Sequence, residues 1–109
     1  MKTSTILLAL SSAVPAVFAA ELGTLWTDAN FLGVSIPLSG NVGSCYNLGG
    51  SNNDKASTGK AKSGYKCSVW TDSGCSGSKY TFDSAGNPNK DVWPSWINDK
   101  ASSWKCERA

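Results

Sequence analysis

Beyond residue 20 of this 109-residue chain, no stretch carries an apolar stripe at helical spacing long enough for three turns. Short runs stand out instead. Thr24-Leu25-Trp26-Thr27, Val34-Ser35-Ile36-Pro37-Leu38, Val69-Trp70-Thr71 and Lys79-Tyr80-Thr81-Phe82 are alternating or rich in β-branched and aromatic residues, and each predicts a strand. Turn-forming clusters separate them: Gly49-Gly50-Ser51-Asn52, Asp72-Ser73-Gly74 and Ala85-Gly86-Asn87-Pro88. Many short strands with frequent turns predict an all-β fold, an antiparallel β-sandwich of Greek keys.

The first 20 residues follow another pattern. Lys2 precedes the apolar run Ile6-Leu7-Leu8-Ala9-Leu10, and Val17-Phe18-Ala19 ends it with small residues at the −3 and −1 positions. This predicts a secretory signal over 1–20, cleaved after Ala19 or Ala20. Ser11, Ser12 and Pro15 interrupt the run. It falls short of the roughly 20 apolar residues that a membrane span needs, so stable membrane insertion is not expected.

Past this segment the chain is written twice. Trp26-Thr27-Asp28-Ala29-Asn30-Phe31-Leu32-Gly33 returns as Trp70-Thr71-Asp72-Ser73-Gly74-Cys75-Ser76-Gly77, and Asn53-Asp54-Lys55-Ala56-Ser57-Thr58 returns as Asn98-Asp99-Lys100-Ala101-Ser102-Ser103. The offsets are 44 and 45 residues. Two motifs in one order and nearly one phase describe a duplicated unit, with halves at about 21–63 and 64–109 forming one domain.

Composition then removes whole classes of function. There is no histidine, which excludes Ser-His-Asp and Cys-His nucleophiles, His-ligated zinc and imidazole acid–base steps. A net charge of +2 is too small for a nucleic-acid footprint. Asp83, Asp91 and Glu107 have no spacing that suggests a glycosidase carboxylate pair. No catalytic residue is assigned. Cys45, Cys67, Cys75 and Cys106 contain no C-x2-C knuckle, so in an exported chain they predict two disulfides with three possible pairings.

The first repeated motif has a structural reading. A strand ends at the Trp, the Gly closes a tight turn, and Phe31 folds back on Trp26 to lock the hairpin. The second motif offers chemistry. Asn amides, Asp carboxylates and Ser or Thr hydroxyls gathered in a bent loop are the hard oxygen donors that Ca²⁺ selects. The same residues also build Asx-turns and helix caps without any metal. A single copy would arise by chance in roughly one shuffled chain in ten; the identical Asn-Asp-Lys-Ala-Ser in both halves is beyond chance.

Together these residues resemble the βγ-crystallin superfamily, whose Greek keys carry an aromatic-x4-aromatic-x-Gly hairpin followed by an N/D-N/D-x-x-S/T-S calcium motif. The resemblance spans the chain from Trp26 to Ser103. It implies two Ca²⁺ ions, each between the motifs and bound by both. The implied side-chain ligands are Asn53, Asp54, Ser57, Asn98, Asp99 and Ser102, with backbone carbonyls from Thr27 and Thr71. Two departures stand out. Cys75 replaces the second aromatic of the second hairpin, so a disulfide takes over the locking; Thr58 replaces the final Ser and keeps a hydroxyl.

With one carboxylate per motif, an affinity between about 10⁻⁶ and 10⁻³ M is expected. The expected protein is a secreted monomer stabilised by disulfides and calcium. A killer-toxin-like effector or a protease inhibitor on the same fold is the alternative, the segment Ala85 to Asp91 being the inhibitory loop to consider. Trp104 is expected in the core, whereas Trp93-Pro94-Ser95-Trp96 lies in a turn-like stretch where an aromatic platform could be exposed.

Overall fold

The computed structural model describes residues 20–109; the expected signal, apart from Ala20, lies outside the described residues. In each half a long hairpin leads. β1 (Ala20–Asp28) pairs antiparallel with β2 (Leu32–Gly40), and β5 (Tyr65–Asp72) pairs antiparallel with β6 (Ser76–Phe82). The two hairpins share their register: Trp26 faces Ser35 as Trp70 faces Lys79, and both are irregular just after the Trp. Three shorter strands complete the set: β3 (Tyr46–Asn47), β4 (Thr58–Ala61) and β7 (Ser103–Arg108). They form two antiparallel sheets, ordered β2-β1-β4 and β3-β7-β5-β6.

All four predicted strands are present, and helix among the described residues is limited to two single 3-10 turns, Ala29–Phe31 and Gly50–Asn52. β4 lacked a signal because Thr-Gly-Lys-Ala has little apolar content. Its glycine explains why. A Cβ on Gly59 would stand 2.9 Å from both Leu25 Cδ2 and Phe82 Cζ, so this strand crosses the core where no side chain fits.

Alternate residues of each sheet turn inward, as period-two patterning requires. Leu22, Leu25, Ile36 and Leu38 come from the first sheet and Val69, Tyr80, Phe82 and Trp104 from the second. The connecting segments add Leu48, Trp93 and Ile97. Trp104 is therefore core, and so is Trp93, whose ring lies 5.4 Å from Tyr80 and 5.7 Å from Phe82. Trp96 is the exposed one, 44% accessible.

The halves interlock. β3 belongs to the first half by sequence but lies in the second sheet, with Tyr46 opposite Trp104 and Asn47 opposite Ser103. The Leu48 amide then donates to Ser102 O over 2.8 Å. The second half reciprocates: Asn30 N donates to Asp91 O at 2.7 Å, and Trp93 N to Ser57 O at 2.9 Å.

Of the three pairings, the chain takes Cys45–Cys75 and Cys67–Cys106. Cys67 and Cys106 are register partners on β5 and β7, fully buried, with Cα atoms 4.0 Å apart. Cys45–Cys75 carries the interlock, tying the turn before β3 to the tip of the second hairpin. Loops of 30 and 39 residues closed this way contribute about 3–4 kcal/mol each in the chain-entropy account.

After β6 the chain turns on Asp83. Its Oδ1 accepts from the amides of Ala85 and Asn87, both at 2.9 Å, while its carbonyl accepts from Ala61 N of β4 at 3.0 Å. The Asn87 backbone bond is the largest cause holding this carboxyl below its ordinary value of 3.8. A depressed value means that the carboxylate's bonds are intact above the ordinary value and are lost as pH falls through the folded one.

Two outcomes follow. Gly59→Ala should lower stability by about 1–3 kcal/mol in denaturant melts, because the new methyl displaces Leu25 or Phe82 in a close-packed core. Acidification below the usual carboxylate range should shift the Ala85 and Asn87 amide NMR signals together, and Asp83→Asn should abolish that coupled titration.

Candidate metal centre

Both Asn-Asp-Lys-Ala-Ser motifs lie where the halves meet. Asp54 and Asp99 take left-handed backbone conformations, φ 61° and 59°, which Asp and Asn tolerate better than other side chains. The bent backbone then sends each Asp amide across the interface: Asp54 N donates to Ala101 O at 3.0 Å, and Asp99 N to Ala56 O at 2.9 Å. Ala56 and Ala101 are fully buried, so a small residue is needed at that motif position. Part of each motif is thus a turn in its own right.

The side chains repeat this crossed arrangement. Ser57 Oγ donates to Asp99 Oδ1 at 3.2 Å, and Ser102 Oγ donates to Asp54 Oδ1 at 3.3 Å. Each carboxylate therefore meets the hydroxyl of the other half, 42 and 48 residues away in sequence. Both Asp residues are exposed, Ser57 is buried and Ser102 half-buried. The hairpins join the same groups through the backbone. Ser57 N donates to Trp26 O and Ser102 N to Trp70 O, both at 2.8 Å, which brings Thr27 beside the first group and Thr71 beside the second.

The expected residues thus sort into two sets: Asp99, Ser57 and Thr27 in one, Asp54, Ser102 and Thr71 in the other. Asn53 and Asn98 precede the two Asp residues and are half-buried. The Asn98 Oδ1 atom is buried and has no hydrogen-bond partner. A buried amide oxygen left unpaired costs about 1–3 kcal/mol, so a ligand with positive charge would satisfy it. Among the described residues no side chain donates a hydrogen bond to Asp54 or Asp99 other than the serine facing it.

Among the described residues no three His, Cys, Asp or Glu side chains converge. A cation here would draw on one carboxylate together with hydroxyl, amide and backbone oxygens, a donor set that suits Ca²⁺ and lacks the nitrogen and sulfur ligands of zinc.

Two hydroxyls named with the motifs have a role that the sequence reading did not assign. Thr58 and Ser103, the last motif positions, are fully buried and turn away from the carboxylates. Thr58 Oγ1 donates to Asp28 O at 2.9 Å and accepts from Phe31 N; Ser103 Oγ donates to Asp72 O at 2.6 Å and accepts from Cys75 N. They bolt the tip of each hairpin to the following motif. The Ser-to-Thr departure in the first half is therefore a matter of hairpin anchoring. Strand alternation carried the signal: consecutive residues point to opposite faces.

The hairpin motif behaves as its pattern suggests. Phe31 meets Trp26 edge-on with centroids 5.4 Å apart, and Cys75 uses its disulfide at the equivalent place. Thr27 Oγ1 accepts from Val34 N and Thr71 Oγ1 from Ser78 N, next to glycines that leave no room for a Cβ.

No helix among the described residues is long and apolar enough to cross a membrane. No family model and no curated protein matches the sequence. Solved structures do. A βγ-crystallin domain from Flavobacterium johnsoniae is 26% identical with a TM-score of 0.64, covering 81% of this chain and 96% of that one. A βγ-crystallin domain from Clostridium beijerinckii is 26% identical with a TM-score of 0.61, covering 80% of this chain and 98% of that one. The N-terminal domain of protein S has the same fold at a TM-score of 0.65 and 19% identity, covering 81% and 97% of the two chains. With its duplicated hairpins, its exchanged third segments and these structural neighbours, the chain belongs to the βγ-crystallin superfamily.

Proposed function

We propose that this chain is a secreted, non-catalytic calcium-binding module, monomeric, with two Ca²⁺ sites at the junctions between its halves. The observation that carries this reading is the crossed pairing of Asp54 with Ser102 and of Asp99 with Ser57. It gathers hard oxygen donors from both motifs at two equivalent places, and Asn98, which precedes Asp99 in the chain, has a buried, unpartnered Oδ1. Asn98, Asp99, Ser57 and the Thr27 carbonyl would serve one ion; Asn53, Asp54, Ser102 and the Thr71 carbonyl would serve the other. Water would complete the six to eight oxygens that Ca²⁺ takes.

When bound, calcium supplies a positive charge that draws both loops and a hairpin toward one point. The protein's part is to present the oxygens. Each serine proton must first swing away from the carboxylate, giving up a hydrogen bond worth about 1 kcal/mol. That cost and the single carboxylate per site both favour modest affinity, suited to the calcium-rich extracellular space. Two disulfides and the N-terminal signal pattern support export.

Calorimetric titration of CaCl₂ into the chelator-stripped protein tests this. Two ions should bind, and the melting temperature should rise, by an amount corresponding to about 2.7 kcal/mol at a hundredfold excess over Kd. Asp54→Ala and Asp99→Ala should each remove one ion and the double variant both. The crossed geometry adds a sharper outcome. Ser57→Ala should have little further effect on calcium binding in the Asp99→Ala background, yet a full effect in the Asp54→Ala background. No heat and no thermal shift up to ~10⁻³ M calcium would reduce the motifs to turns. The effector or inhibitor reading would then lead, with the 85–91 loop, braced by Asp83 and by the Tyr80 hydroxyl at Asn89, as its site.

A further inference from the structure

The near-symmetry of the halves exposes one place where they differ in chemistry. On the outer face of the first sheet, Trp26 has Phe31 edge-on against it, and Lys60 lies over Phe31 at 4.3 Å. Ser35 faces this Trp across the hairpin, and Pro37 faces Thr24. The equivalent face of the second sheet has lost that aromatic cover, because Cys75 stands in place of Phe31 and turns its sulfur to Cys45. It has gained charge and hydroxyls, with Lys79 in place of Ser35 and Thr81 in place of Pro37. The result is a small pocket of about 40 Å³ lined by Ser68, Trp70, Lys79, Lys105 and Glu107.

Within it the Lys79 and Lys105 ammonium groups lie 5.7 and 5.9 Å from the Trp70 ring centre. Ser68 and Thr81 hydroxyls share one hydrogen bond of 2.7 Å, which leaves one of their two protons free for a ligand. Glu107 adds an acceptor.

We propose that this face is a binding site for an acidic polysaccharide, a chain of sugar rings carrying carboxylates. The two lysines lie over the indole; once they turn to a ligand's carboxylates, the ring they leave, beside hydroxyl groups, suits the apolar face and polar rim of a pyranose. Glu107 and the net charge of +2 work against a densely charged phosphate or sulfate polymer. Sparse negative charge on hydroxyl-rich rings matches the mixed lining. None of the lining side chains is a candidate calcium ligand, although the Trp70 backbone adjoins one of those groups, and the proposal does not depend on the calcium reading.

The test is calorimetric titration with a defined oligogalacturonate at low salt in the presence of chelator. Saturable binding is expected, falling about fivefold in Lys79→Ser and in Lys105→Gln and weakening as salt is added. Lys79→Ser copies the residue that the first sheet already carries at this register, so the fold should tolerate it. Lys60→Gln, on the covered face, should bind as the unaltered protein does. Any of four results would overturn the proposal: no binding, equal binding of a neutral oligosaccharide of the same length, equal weakening by Lys60→Gln, or tighter binding of a sulfated oligosaccharide or single-stranded oligonucleotide.

Discussion

Each half of this protein is incomplete without a strip of backbone from the other. Leu48 N reaches Ser102 O and Trp93 N reaches Ser57 O, while Asp54 N and Asp99 N reach the carbonyls of Ala101 and Ala56. These four bonds form two reciprocal clasps. Backbone amides buried at an interface must be paired, so neither half satisfies its own polar groups alone, and the second sheet takes its edge strand from the first half. The Leu48 and Trp93 side chains that follow this exchange are core residues, so the same crossing that pairs the backbone also fills the sandwich.

The candidate calcium sites inherit their geometry from that clasp. Once Asp54 N is bonded to Ala101 O, the Asp54 carboxylate has Ser102 as its neighbour, and the same holds for Asp99 with Ser57. The left-handed conformations at Asp54 and Asp99 point the same way. The turn residue and the candidate ligand are here the same residue, so the turn reading of the motif leaves the proposed metal reading open.

Duplication gave the protein two copies of a scaffold, and the copies have diverged where the scaffold permits. At the hairpin tips an edge-on ring pair in one half is replaced by a disulfide in the other. On β4 and β7, Gly59 stands where the second half has the buried Trp104, since Phe82 and Leu25 already fill that space in the first. The outer faces of the two sheets differ because solvent-facing positions on paired strands carry little packing constraint.

By itself the sequence determined the all-β class, the duplication, the position of the hairpins and the oxygen-rich loops. These are local matters: period-two patterning, turn residues and repeated strings depend on neighbours a few positions apart. Even the Trp26–Phe31 contact is local, spanning a single tight turn. The tertiary structure alone decided the rest. It chose Cys45–Cys75 and Cys67–Cys106 among three pairings, buried Trp93 while leaving Trp96 exposed, and moved β3 into the opposite sheet. It also separated Ser57 and Ser102, which face carboxylates, from Thr58 and Ser103, which anchor hairpins. Most of these depend on which residues 30 or more positions apart come to lie side by side, and Trp93 on rings 11 and 13 positions away; local pattern carries no record of either.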